Sequence, residues 1–337
     1  MDKNQVSLTA AEIGSLWSSY MYDSMSFQFI RFMKEKVQNK KIKPAIEKAY
    51  EIASSHLLEY EKMYSQENLP LPYGFSDKDV ELNAPDLFTD TFKLTLTLHM
   101  ARVGMVTHSG TLSLAARKDV RLLFGKCLRQ VEELYQLSSD IALDMGVFLR
   151  SPYIPYPKQA KFVNNKNYMS GLNPLVSPRI LNALEITHLS MNIETNQTGF
   201  MLTSAFMQTA QSTEVKKYMQ KGNEISKSHL DKFSDVLLKD DIQAPMSADH
   251  AITDSTTSVF SEKLMMFQMG LLSTAGLGNN ATAASLSQRS DLILMYERLS
   301  SQIGLFAKEG AKIMIHNKWL EEPPAPPDRH QLGEQKK

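Results

Sequence analysis

The second half of this chain repeats the first. Sliding the 337-residue sequence along itself by about 172 positions brings Glu51, Ile52, Ser55, His56 and Leu57 onto Glu224, Ile225, Ser228, His229 and Leu230. The same shift brings Arg117 and Asp119 onto Arg289 and Asp291, and Pro152 and Pro155 onto Pro324 and Pro327. A period this long marks a duplicated domain rather than a solenoid of small units. It also supplies an internal control, because what both copies keep can be set against what only one copy has.

Each copy reads as four helices. The pattern predicts them near 8–38, 43–66, 85–112 and 117–149, and again near 178–211, 213–239, 255–280 and 287–319. Pro44 suits a first helical turn. Pro85 with Asp86 reads as the start of the third helix, and Asp254 and Ser255 as candidate N-caps of its counterpart. The fourth helices are the most regular. Val120, Phe124, Cys127, Val131, Leu134, Ser138 and Ile141 step alternately by four and three. So do Leu292, Tyr296, Leu299, Ile303, Phe306, Gly310 and Ile313. That stripe is the seam of a helix packed nearly parallel or antiparallel to its neighbours. Ser138 and Gly310 are small at the same point of it, where a close helix approach or a small cavity fits.

Loop lengths set the expected topology. Helices one and two are joined tightly, as are three and four. Helices two and three are separated by about 20 residues in each copy, with Pro72 and Pro245 at matched places, and such loops are uncommon inside compact domains. A four-helix bundle with one long crossover is the ferritin-like arrangement. The expected fold is therefore all-α: two tandem ferritin-like four-helix bundles, each with a long crossover between helices 2 and 3. The expected domains are 8–150 and 178–322. Between them lies a Pro/Asn-rich linker at 151–177, and a Pro-rich, disordered tail at 323–337 follows.

Lysine plus arginine and aspartate plus glutamate each number 37, so net charge is zero. That argues against a nucleic-acid or anionic-membrane partner and for protein partners or self-association. One cysteine, Cys127, excludes an intrachain disulfide, and its place on the seam makes it a small buried apolar residue. The N-terminus lacks an apolar signal core and no stretch is long enough to span a bilayer, so a cytoplasmic protein is expected. The 19 methionines fit helical core filler, with a ligand-accommodating groove as the alternative.

The duplicated bundle, the paired His56 and His229, the openings Arg117-Lys-Asp119 and Arg289-Ser-Asp291, and the exits Ser151-Pro152 and Trp319-Leu-Glu-Glu-Pro-Pro324 resemble a family of unknown function from spore-forming bacilli. Its members often carry the domain in tandem, are grouped with ferritin-like bundles, and are in some cases labelled spore coat proteins. The resemblance runs from about Leu8 to Arg329 and implies the fold. It extends the expected compartment to the spore or mother cell. It implies no agreed activity, and fold alone confers none.

Ferritin-like di-iron sites take a glutamate from each of two helices and Glu-x-x-His from each of the others. Here the only such match is Glu185 with His188, and the first copy has Glu12 and Ser15 instead. His56 and His229 are the shared candidates. Both lie on the apolar face of helix two, while Glu51 and Glu224, five residues away, point elsewhere. Asp23 becomes Asn196, and Asp90 matches Glu262 near the start of helix three. No set of four to six inward ligands assembles from these, so the histidines read as core residues held by a neighbouring helix, with no metal favoured and no catalytic or cofactor residue assigned. Phosphate loops, nucleophile elbows and Cys-x-x-Cys are absent. Gly270, Gly276 and Gly278 suggest close packing or a helix break, and Arg117/Asp119 and Arg289/Asp291 read as helix caps. The function expected is a non-catalytic structural or interaction protein. The alternatives are an iron or manganese oxidase or storage protein with an atypical site, and a carrier of an apolar ligand between helices.

Overall fold

A computed structural model describes residues 6–173, 177–246 and 251–330. Eight long helices are present among them: α1 (Ala10–Lys36), α2 (Lys43–Glu67), α3 (Asp90–Leu114), α4 (Lys118–Asp144), α5 (Ala183–Thr209), α6 (Thr213–Leu238), α7 (Glu262–Leu286) and α8 (Ser290–His316). No strand occurs among the described residues, only two isolated bridges. Within the first copy α1 packs on α2 and α3, and α4 packs on α3 and α2. The second copy repeats the pattern, with α5 on α6 and α7, and α8 on α7 and α6. No helix among the described residues is long and apolar enough to cross a membrane. Cys127 is free and buried.

The repeat is written into the helix ends. Thr9 with Glu12 and Asn182 with Glu185 form reciprocal capping boxes at matched positions. Each glutamate has a second task. Glu12 Oε1 accepts from the Ala116 and Arg117 amides at 2.9 and 2.7 Å, and Glu185 Oε1 accepts from the Gln288 amide at 3.1 Å. One carboxylate thus caps the first helix of its copy and the fourth. The acid opening the third helix ties down the turn between the first two. Asp90 accepts from the Gln38 and Asn39 amides, and Glu262 from those of Gln211 and Ser212. Arg117 and Arg289 are the N-cap residues of α4 and α8, each holding its Asp119 or Asp291 in a two-point contact. Arg117 also reaches Glu67 at the end of α2.

The third helices begin later than their sequence suggests. Thr89 and Ser261, not Asp86 or Ser255, are the N-caps of α3 and α7. The preceding residues stay extended because the two crossovers pair with each other. The Glu81 and Thr89 amides donate to the Val259 and Ala251 carbonyls, and the Thr253 and Ser261 amides donate to those of Leu87 and Asp79. The fourth helices end earlier than expected. Gly146 turns left-handed (φ +69°) after α4, and Lys318 does so after α8. α5 starts at Ala183 rather than near 178, with a short 3₁₀ turn at Lys166–Met169 before it. The expected features at Pro174 and at 331–337 lie outside the described residues.

Three apolar clusters follow. One end of the first copy is filled by its own Leu16, Tyr60, Val120, Phe124 and Cys127. One end of the second holds Leu189, Ile193, Phe233, Leu292 and Tyr296. The largest cluster is common to both copies. Phe260 stands at its centre, with ring centroids 4.2 Å from Phe29, 5.6 Å from Phe32 and 6.3 Å from Phe206. Beside it, fully buried Lys93 is neutralised by Asp86 and Asp90 at 2.5 and 2.9 Å. The exit segments also cross over. Glu321 accepts from the Tyr73 and Gly74 amides, and Ser151 meets Ser190.

The small seam residue Gly310 permits a close approach. A Cβ there would fall 2.3 Å from the Tyr218 hydroxyl oxygen, and the Tyr218 ring stacks on Phe306 at 4.2 Å. Gly276 sits against Ile303, whereas Gly270 and Gly278 face open space and break no helix. Phe260→Ala is expected to cost about 3–5 kcal/mol, because it empties the shared cluster. Phe162→Ala, at an almost fully exposed ring, should stay within ~0.5 kcal/mol. Urea denaturation of both variants checks the pair.

Candidate functional site

The first copy gathers a polar cluster inside its own apolar end, built from all four helices. Asp23 comes from α1, His56 and Tyr60 from α2, His108 from α3 and Cys127 from α4. One ligand atom from each of Asp23, His56 and His108 can be chosen so that all lie within 4.8 Å of one another. His56 Nδ1 is 2.9 Å from Asp23 Oδ2. The His56 and His108 rings meet edge-on with centroids 5.3 Å apart. The Tyr60 hydroxyl lies 3.7 Å from Cys127 Sγ. All but half-buried Asp23 are buried.

Two buried nitrogens in the cluster, His56 Nε2 and His108 Nδ1, have no hydrogen-bond partner. A buried polar atom left unpaired costs about 1–3 kcal/mol. The electrostatics pull the two rings apart. Burial pushes His56 down, but the Asp23 carboxylate beside it more than reverses this and lifts it to about 10. Burial likewise opposes charge on Asp23, and the His56 contact still holds its carboxyl below the usual range. His108 has no such partner. Burial pushes it down to about 4, only partly opposed by Asp23. Near neutral pH the cluster is therefore an Asp–imidazolium pair facing a neutral imidazole.

The second copy has the same frame with the charges removed. Asp23, Tyr60, His108 and Cys127 are replaced by Asn196, Phe233, Asn280 and Leu299. Two of these changes keep shape and delete an acidic group. His229 remains, but it uses the other nitrogen and another helix, with Nε2 2.9 Å from Gln302 Oε1 on α8. Asn196 turns back onto the Asn192 carbonyl of its own helix. Burial holds His229 below the usual histidine range.

Both helix-two histidines are thus held by a neighbouring helix, as the repeat suggested. Glu51 and Glu224 are exposed and take no part. Glu185 and His188 are not a ligand pair. The Glu185 oxygens are taken by the Asn182 and Gln288 amides and by Arg179 at 2.8 Å. His188 is half-buried, and burial lowers its affinity for a proton. Sequence reasoning missed His108. His108 aligns with Asn280 across the repeat, so it is not among the features that both copies keep. The signal lay in the differences between the copies, four of them at one depth of the bundle.

These helices and contacts define an all-α protein made of one duplicated four-helix unit. The family described as protein of unknown function (DUF3231) matches residues 1–160 and again 169–332. The chain belongs to that family and carries its domain twice. Comparison with curated proteins and with solved structures gives no match.

His108 gives a pH test. Its folded affinity for a proton is below its unfolded one, near 6.5. Its contribution is complete above that value and is lost as pH falls towards about 4, by up to about 1.4 kcal/mol per pH unit. His99, buried on the same helix, is also pushed down to about 4 and adds to the loss. The His108→Asn variant should therefore lose less stability than the wild type between pH 6.5 and pH 4. Chemical denaturation across that range measures it.

Proposed function

We propose that the protein is a tandem ferritin-like metal-binding protein with one working site. The first half binds a single divalent first-row transition-metal ion through Asp23, His56 and His108, and the second half is scaffold. What supports this is the convergence of those three side chains on one point of a buried core, with two ring nitrogens there unpartnered. Two imidazoles and one carboxylate are the donor set of mononuclear iron(II) sites with open positions, and manganese or zinc can also use it. A di-metal ferritin-like site would need several bridging carboxylates, and this cluster has one. An ion there would take the place of the proton between Asp23 and His56 Nδ1 and give the free His108 Nδ1 a partner. The expectation that no metal is favoured is set aside for the first half and kept for the second.

The ferritin-like description rests on the long crossover between the second and third helices of each copy. The domain limits near 8–150 and 178–322, and the spore-associated setting implied by the family resemblance, belong to the same proposal. Under the structural alternative, the Asp23–His56 pair only joins α1 to α2. A space of about 60 Å³ between helices of the second half is small for an apolar ligand and lends the carrier reading no support.

Metal analysis after anaerobic reconstitution with iron(II) or manganese(II) decides between these readings. Close to one ion per chain is expected, falling to near zero in His108→Asn. The duplicated frame allows a gain-of-site test too. Asn196→Asp with Asn280→His should raise the content towards two. A wild-type chain that holds no metal, but loses stability on His56→Ala, would return the protein to a structural role.

A further inference from the structure

The zero net charge of the chain hides a one-sided segment. Between Asp144 and Glu185 there is no acidic residue, while Arg150, Lys158, Lys161, Lys166 and Arg179 lie in that interval. Arg179 is spent on Glu185 and on the Tyr168 ring. The other four are exposed. Among them stand apolar side chains that the fold leaves in water: Tyr153, Tyr156, Phe162 and Val163, at 78, 86, 94 and 59 % exposure. The segment is pinned at both ends to the second half. Ser151 meets Ser190 at one end, and at the other the Tyr168 and Met169 carbonyls accept from Arg179 and Ser290. Between Pro152 and Asn165 the backbone forms no regular element.

We propose that residues 150–166 are a peripheral docking segment for an anionic lipid surface. Four cations with no acid among them supply the long-range attraction to acidic headgroups. The tyrosine and phenylalanine rings fit the interfacial zone, where an apolar body and a polar edge are both solvated. A single-stranded nucleic acid would use the same cations and would stack on flat rings. Two observations favour lipid. Tyr153 and Tyr156 meet edge-to-face at 6.2 Å instead of offering parallel platforms. The aliphatic Val163, beside Phe162, gains nothing from stacking and gains from lipid. Pinned ends hold the segment open towards the surface and reduce the entropy lost on docking. No membrane span is required, in keeping with the helices described.

Co-sedimentation of the full chain with vesicles tests this. Binding is expected to phosphatidylserine–phosphatidylcholine vesicles, to weaken with added salt, and to be absent on phosphatidylcholine alone. Neutralising Lys158 and Lys161 together as glutamines should weaken it on the order of 20-fold or more. Tyr156→Ala with Phe162→Ala should weaken it further. All four side chains are exposed, so unchanged helical circular dichroism and melting should accompany each loss. Three results would overturn the proposal: a wild-type chain that stays in the supernatant, binding that survives both double variants, or capture of a single-stranded RNA oligonucleotide by this segment without vesicle binding.

Discussion

The contact on which the rest depends is the seating of Phe260 among Phe29, Phe32, Phe88 and Phe206. It brings a residue from the second crossover against aromatic rings of the first copy. Aromatic side chains of this size contribute heavily to a core when fully buried. The two crossovers can reach that position only if they lie side by side, and their backbone groups then bond to each other. Loops that would otherwise cost entropy without return become part of the shared core. Buried Lys93 with Asp86 and Asp90, next to the paired loops, fixes how α3 leaves the crossover.

The ends of the two copies are free of this mutual dependence, and there they diverge. Each has its own apolar cluster around its helix-two histidine. In the second copy the histidine is neutral and held by an amide. In the first it faces a carboxylate, a second imidazole, a phenol and a thiol. Replacing a buried charge pair by apolar or amide groups of like shape is often neutral or stabilising. The second copy keeps buried unpaired atoms of its own, at His229 Nδ1 and at both polar atoms of the Asn280 amide, so what sets the first apart is its carboxylate and its pair of imidazoles.

The helices, the seams and the shared caps were legible in the sequence because each is a local pattern repeated at a fixed distance. Glu12 and Glu185 look like candidate ligands in isolation and turn out to cap two helices at once, which only the approach of the fourth helix reveals. The late starts of α3 and α7 were hidden because pairing between the crossovers is non-local and overrides the signal of Pro85 with Asp86. The candidate site was hidden differently. Requiring agreement between copies selects scaffold by construction, and chemistry held by one copy disappears under that filter. Asp23 opposite Asn196, and Tyr60 opposite Phe233, were visible as single exchanges. Only the fold shows that Asp23 and Tyr60 meet His108 and Cys127 in one cluster.

The interlocked crossovers also bear on how the chain is made. Phe29 and Phe88 leave the ribosome long before Phe260, and Glu321, which grips the Gly74 turn, leaves later still. At ~5–20 residues per second, the first copy spends on the order of ten seconds or more with those rings uncovered and its loop edge unpaired. During synthesis, then, the N-terminal copy is a docking platform awaiting its twin. Another copy of the same chain could offer it the same surfaces. Crowded polysomes favour that exchange, and slow, dilute synthesis favours closure within one chain.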